Sequence, residues 1–178
     1  MTTYNLTSRL NHWIAAPLFI AMLGFGFYLA YGGAPMPEKL PMIANHKAMG
    51  VLLLGFGLWR VGYRIKQGFA LPVASLPSWQ EAASRASHVI LLASILLMPL
   101  SGLIMALFSG FPTDVFGLFT IPAIDKVDTV SGAARMAHKY IAYAFVLTLG
   151  VHVAAAIKHH IIDKDGTLVR MLKGLPTP

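Results

Sequence analysis

The sequence has 178 residues, 56% of them hydrophobic and only 12% charged, about half the charged share of an ordinary soluble domain. In a chain this apolar, a formal charge of +7 is expected to meet lipid headgroups, not nucleic acid. The absence of cysteine excludes disulfides, iron–sulfur clusters and thioether-linked haem.

The apolar residues are gathered in blocks. No Asp, Glu, Lys or Arg occurs in residues 10–37, 48–59, 86–113 or 140–157. About 20 helical residues cross roughly 30 Å of hydrocarbon. The second block reaches that length only with Asn45, His46 and Lys47 included. Lipid admits only helices or closed barrels, and the alternation of barrel strands is missing. The expectation is an all-α membrane protein, a four-transmembrane-helix, up-down-up-down bundle forming a single domain over residues 1–178.

In chain order, the first helix is expected at 10–31. It follows Arg9 and ends among small residues, as a signal peptide does, but it outruns a usual signal core and carries a histidine at its mouth, so it is read as a retained span. Gly32, Gly33, Pro35 and Pro37 close it. The second helix is expected at 41–65, with a central loop broken at Leu71, Pro72 and Pro77. The third is expected at 84–109 and the fourth at 134–162. Pro17 and Pro99 fall inside spans and are expected to kink them. The loop over 110–132 is the longest and carries Asp114, Asp125 and Asp128. Residues 163–175 alternate apolar and polar at helical spacing, as a segment lying on the membrane surface does.

Charge sets the orientation. Of the 14 Lys and Arg residues, nine fall on the side of the termini and central loop: Arg9, Arg60, Arg64, Lys66, Arg85, Lys158, Lys164, Arg170 and Lys173. The other five are Lys39, Lys47, Lys126, Arg135 and Lys139. The positive-inside rule then puts both termini in the cytoplasm.

Seven histidines occur, and His12, His46, His88, His138 and His152 fall inside or at the ends of spans. Ionisable groups there are costly, which makes a functional role the first expectation. His138 and His152 are 14 residues apart, about 21 Å along the axis and nearly four turns, so both project from one helix face. One lies near the outer edge of the hydrocarbon and the other near the inner edge. An antiparallel bundle brings His12 to the depth of His152 and His46 to the depth of His138. Two imidazole pairs at two depths suit two stacked haems b, each iron closed to further ligands and suited to electron transfer. One zinc ion cannot take ligands so far apart, and a proton or metal transporter expects acidic partners that the spans almost lack.

His88 and His159 lie on the cytoplasmic side. They either hydrogen-bond a quinone headgroup and relay its protons, or are solvated at the interface. His160 points elsewhere and is read as solvated. Gly24, Gly26, Gly50, Gly55, Gly57, Gly102 and Gly150 suit either flat porphyrins or close helix packing. Met98 and Met105 are read as core rather than axial ligands, and Trp13 and Trp59 as interfacial anchors.

Arg9-Leu10-Asn11-His12-Trp13, His46-Lys47-Ala48-Met49-Gly50, the His138/His152 pair, His159-His160 and Lys164-Asp165-Gly166-Thr167-Leu168 resemble the prokaryotic cytochrome b561 family over essentially the whole chain. The histidine spacing also looks like the cytochrome b subunits of formate dehydrogenase and nickel–iron hydrogenase. The resemblance implies a di-haem b bundle in the bacterial inner membrane, with axial pairs His12/His152 and His46/His138. For the stand-alone members it implies superoxide oxidation at the periplasmic face and ubiquinone reduction, with His88 and His159 matching quinone-contacting positions. Lys39, Lys47, Arg135 and Lys139 are candidates to steer superoxide, in a field that Glu38 and the loop aspartates dilute. The alternative is a membrane-anchor subunit that passes electrons between a partner enzyme and the quinone pool. Short loops favour the autonomous protein, and the sequence leaves open whether it forms a homodimer or binds a redox partner.

Overall fold

The computed structural model describes residues 4–69 and 76–174. Its four long helices are α1 (Leu6–Tyr31), α2 (Met36–Gln67), α3 (Ser78–Leu107) and α4 (Asp128–Ile161). All four are long and apolar enough to span a membrane. The chain is a multi-pass helical membrane protein. The breakers expected at Leu71 and Pro72 lie outside the described residues, as does Leu175.

Each helix begins before its apolar block. A charge-free block measures hydrocarbon thickness, whereas the helix runs on wherever its end is satisfied. Asn5 caps α1, its Oδ1 accepting the Ser8 N–H at 2.9 Å. Pro37, expected to close the preceding helix, stands in the first turn of α2, where its missing N–H would have had no intrahelical partner. Glu38, Glu81 and Asp128 occupy the first turns of α2, α3 and α4, and Arg64, Lys66 and Lys158 the last turns of α2 and α4, each on the side the helix dipole favours.

The loop between α3 and α4 holds a hairpin that its residues did not announce. Strands β1 (Thr113–Val115) and β2 (Phe119–Ile121) pair antiparallel, with Val115 opposite Phe119. Phe116 and Gly117 both take positive φ, 53° and 72°, as a type I′ turn requires. The Asp114 carboxylate accepts from the Gly117 N–H at 2.9 Å and from the Thr120 hydroxyl at 3.3 Å. The hairpin packs on the N-terminal part of α2, burying Val115 completely, and Lys47 donates to the Pro112 carbonyl at 2.9 Å. At the opposite end of the bundle, α5 (Thr167–Lys173) folds back under α1. Arg9 and the Trp13 indole donate to the carbonyls of Leu172 and Met171.

Helix α4 packs most closely on α3, and α3 on α2, while α1 and α2 reach α4 mainly through side chains. Gly57 marks the α2–α3 contact. Pro99 has no N–H to offer the Ile95 carbonyl, and a Cβ on Gly57 would stand 3.1 Å from that oxygen and 2.9 Å from Ile95 Cγ2. A small core of Ala15, Phe19, Leu23, Leu53, Ile95 and Phe145 fills mid-depth. Outward-facing apolar side chains such as Leu18, Leu58, Leu97 and Leu147 are exposed, as a lipid-facing surface demands.

Candidate cofactor site

At the hairpin end of the bundle, the expected outer end, the rings of His46 on α2 and His138 on α4 stand 6.3 Å apart, centre to centre. His138 is aimed by α3. Its Nδ1–H donates to the Met98 carbonyl at 3.0 Å, a carbonyl that also accepts the Ser101 hydroxyl at 2.8 Å. With the proton held on Nδ1, Nε2 is left with a free lone pair, the arrangement that prepares a histidine to bind metal. His46 Nδ1 is buried without a partner among the described residues. Two glycines make space for these rings. A Cβ on Gly26 would lie 3.3 Å from His46 Cε1, and one on Gly102 would lie 3.1 Å from His138 Cε1. Beside the pair is a partly open cavity, walled by apolar side chains including Phe19, Leu53, Met105 and Phe145, with Lys47 and Thr113 also lining it.

At the opposite end, the expected inner end, His12 on α1 and His152 on α4 stand 6.2 Å apart, and His88 on α3 lies 5.6 Å from His152, edge on. His88 also stacks on Phe69, 5.6 Å away and tilted by only 15°. His159, the other residue assigned to a quinone, has different neighbours. Its Nδ1–H donates to Asp165 at 2.6 Å and lies 3.2 Å from Asp163, which Lys158 also grips. The structure therefore gathers His12, His88 and His152 into one cluster and ties His159 to the turn below it. His160 is exposed.

A family profile described as "Prokaryotic cytochrome b561" matches residues 3–174. The chain belongs to the prokaryotic cytochrome b561 family. Curated relatives span it almost end to end. "Cytochrome b561 homolog 2" of Escherichia coli (strain K12) is 31% identical over 174 residues, covering 95% of this chain and 90% of that protein. "Cytochrome b561 homolog 1" of the same organism is 27% identical over 176 residues, 97% of this chain and 98% of its own. A Yersinia pestis protein named "Probable superoxide oxidase CybB" is 22% identical over 162 residues, 90% of each chain.

Cytochromes of the b561 family bind haem b and carry electrons across membranes. The residues present fit that group. A metal held between two imidazole nitrogens at about 2 Å each puts the ring centres a little over about 6 Å apart, which both facing pairs satisfy. The apolar cavity beside His46 and His138 and the wide spacing of α4 from α2 suit a flat macrocycle. Gly57 instead serves helix packing, a distinction the sequence left open. Trp59 packs at a tilt against Phe56 and Tyr63 and is exposed, in keeping with an anchor in lipid, whereas Trp13 ties α1 to α5. Met105 lines the outer cavity and Met98 packs against the core.

Three features escaped sequence reasoning. Phe145 lies seven residues from each of His138 and His152, and its ring packs 6.1 Å from Phe19, between the two pairs. Tyr31 and Tyr143 join α1 to α4 through their hydroxyls at 2.5 Å. Arg60 reaches from α2 to Asn11 and His12. The first was available as a seven-residue spacing; the other two depend on contacts between helices that no spacing shows.

Proposed function

We propose that this cytochrome moves electrons across the bacterial inner membrane through two haems b, one held by His46 and His138 and the other by His12 and His152. It takes electrons from superoxide at the periplasmic face and delivers them to ubiquinone. The observation that carries the reading is a pair of facing imidazoles at each end of one bundle, at 6.3 and 6.2 Å. When bound, haem b supplies a one-electron iron couple at each level.

The remaining chemistry falls to the chain's own residues. The Phe19–Phe145 contact keeps the middle of the bundle packed and dry between the two pairs. Lys47, which lines the outer cavity, together with Lys39, Arg135 and Lys139, draws an anion toward that end. Two superoxide ions give up two electrons and leave as two molecules of dioxygen. One quinone takes those electrons with two protons from the cytoplasm. His88, edge on to His152, hydrogen-bonds the quinone headgroup. His159 donates its Nδ1–H to Asp165, which leaves Nε2 to hydrogen-bond on the route of those protons. The name of the Yersinia relative supports the choice of superoxide.

The test is a proteoliposome with ubiquinone in its bilayer and a superoxide generator outside. Ubiquinol is expected well above the rate in protein-free vesicles; an equal rate refutes the superoxide assignment. The membrane-anchor reading has one observation in its favour. Phe111 and Leu118, beside and on the hairpin, are 71% and 75% exposed, an apolar tip that a redox partner could cover.

A further inference from the structure

Arg60 is half-buried near the inner end of α2, and its contacts are those of a cation without its counter-ion. Nη1 donates to Asn11 Oδ1 at 3.0 Å, and Asn11 is itself only 2% exposed. Nη2 donates to His12 Nδ1 at 3.2 Å. Nε is buried and has no partner among the described residues. Among the described residues the ion pairs belong to Lys126, Lys158 and His159, and no carboxylate reaches Arg60. Arg64, one turn on, is already engaged with the Gly68 carbonyl and the Tyr4 and Phe69 rings. An arginine held this way is costly unless an anion joins it.

The contact with His12 adds a second constraint. A guanidinium can only donate, so His12 Nδ1 is the acceptor and a neutral ring must keep its proton on Nε2. That tautomer is the wrong one for a histidine that binds iron through Nε2, which needs its other nitrogen protonated and donating outward. With His12 in the tautomer that binds iron, Arg60 Nη2 needs another acceptor. Its forked donors are then free for a carboxylate.

We propose that Arg60, braced by Asn11, is the binding site for a propionate carboxylate of the inner haem. The inference rests on the two-haem reading above. Asn11 is a positioning residue, holding one arm of the fork.

Arg60→Gln and Arg60→Lys are to be purified and compared with the wild type for haem per polypeptide and for both midpoint potentials. Wild type with fewer than two haems defeats the two-haem reading itself. Given two, Arg60→Gln is expected to keep the outer haem, an internal control for folding. It should bind the inner haem about ten- to a hundredfold more weakly, or show that midpoint alone shifted down, because a cation nearby favours the reduced, less positive iron. Arg60→Lys, which keeps the charge without the fork, should fall between. Two haems at unchanged potentials in Arg60→Gln overturn the proposal. If Arg60→Gln loses both haems, the decision passes to wild-type apoprotein reloaded with haem or its dimethyl ester. Weaker retention of the ester at the inner site supports the pairing, and equal retention overturns it.

Discussion

Replacing His46 or His138 by Ala takes away one of two rings facing each other at 6.3 Å, and His12 or His152 one of two at 6.2 Å. Under the two-haem reading each single variant should bind about half the wild-type haem, measured as pyridine haemochrome per polypeptide; undiminished binding would refute that pairing. At Asp165, burial alone would raise the carboxyl, but hydrogen bonds from Thr167 and His159 outweigh it and hold it below the usual carboxylate range. A group depressed in the folded state stabilises above its unfolded value, and that contribution is lost as pH falls through the folded value. Asp165→Asn should therefore melt below wild type at neutral pH, and the gap should close on acidification. Melting curves in detergent across that range check the sign. The seven histidines could be sorted by depth from sequence because position along a helix converts directly into distance. Their hydrogen-bond partners could not, since Met98, Ser101 and Arg60 arrive from other helices.

Between elements, Gly57 of α2 meets Ile95 of α3 closely, where Pro99 leaves a carbonyl without its helical donor. A methyl group there meets backbone and a β-branched side chain, neither of which yields easily. Gly57→Ala should cost on the order of 1–3 kcal/mol, read as a lower melting temperature in detergent. Gly24→Ala, where a Cβ meets nothing within 4 Å, is the matched control. The same helical pattern could not separate these two glycines, because both lie in apolar spans and only the neighbouring helix distinguishes them. The hairpin was illegible for another reason. Three-residue strands leave too little alternation to read, and Phe116, with φ of 53°, is no turn signal at all.

For the molecule as a whole, the absence of cysteine makes orientation directly measurable. Single cysteines at Thr120 in β2 and at Lys164 beyond α4 lie beyond opposite ends of the bundle. In intact spheroplasts an impermeant maleimide should label Thr120→Cys, and Lys164→Cys only after permeabilisation; the reverse pattern inverts the proposed topology. If cations at the outer mouth steer superoxide, the rate of superoxide-driven quinone reduction should fall as salt rises through the range that shortens the Debye length below about 10 Å. A rate indifferent to ionic strength removes steering from the mechanism.

The sequence by itself determined the four spans and the depth at which each histidine sits. Charge is expelled from hydrocarbon, and a helix advances a constant distance per residue. The tertiary structure decided what stands beside those histidines: the carbonyl that orients His138, the glycines that leave room for the outer rings, and the guanidinium on His12. Such contacts join residues tens of positions apart, and their geometry depends on helix rotation and spacing, which packing alone fixes.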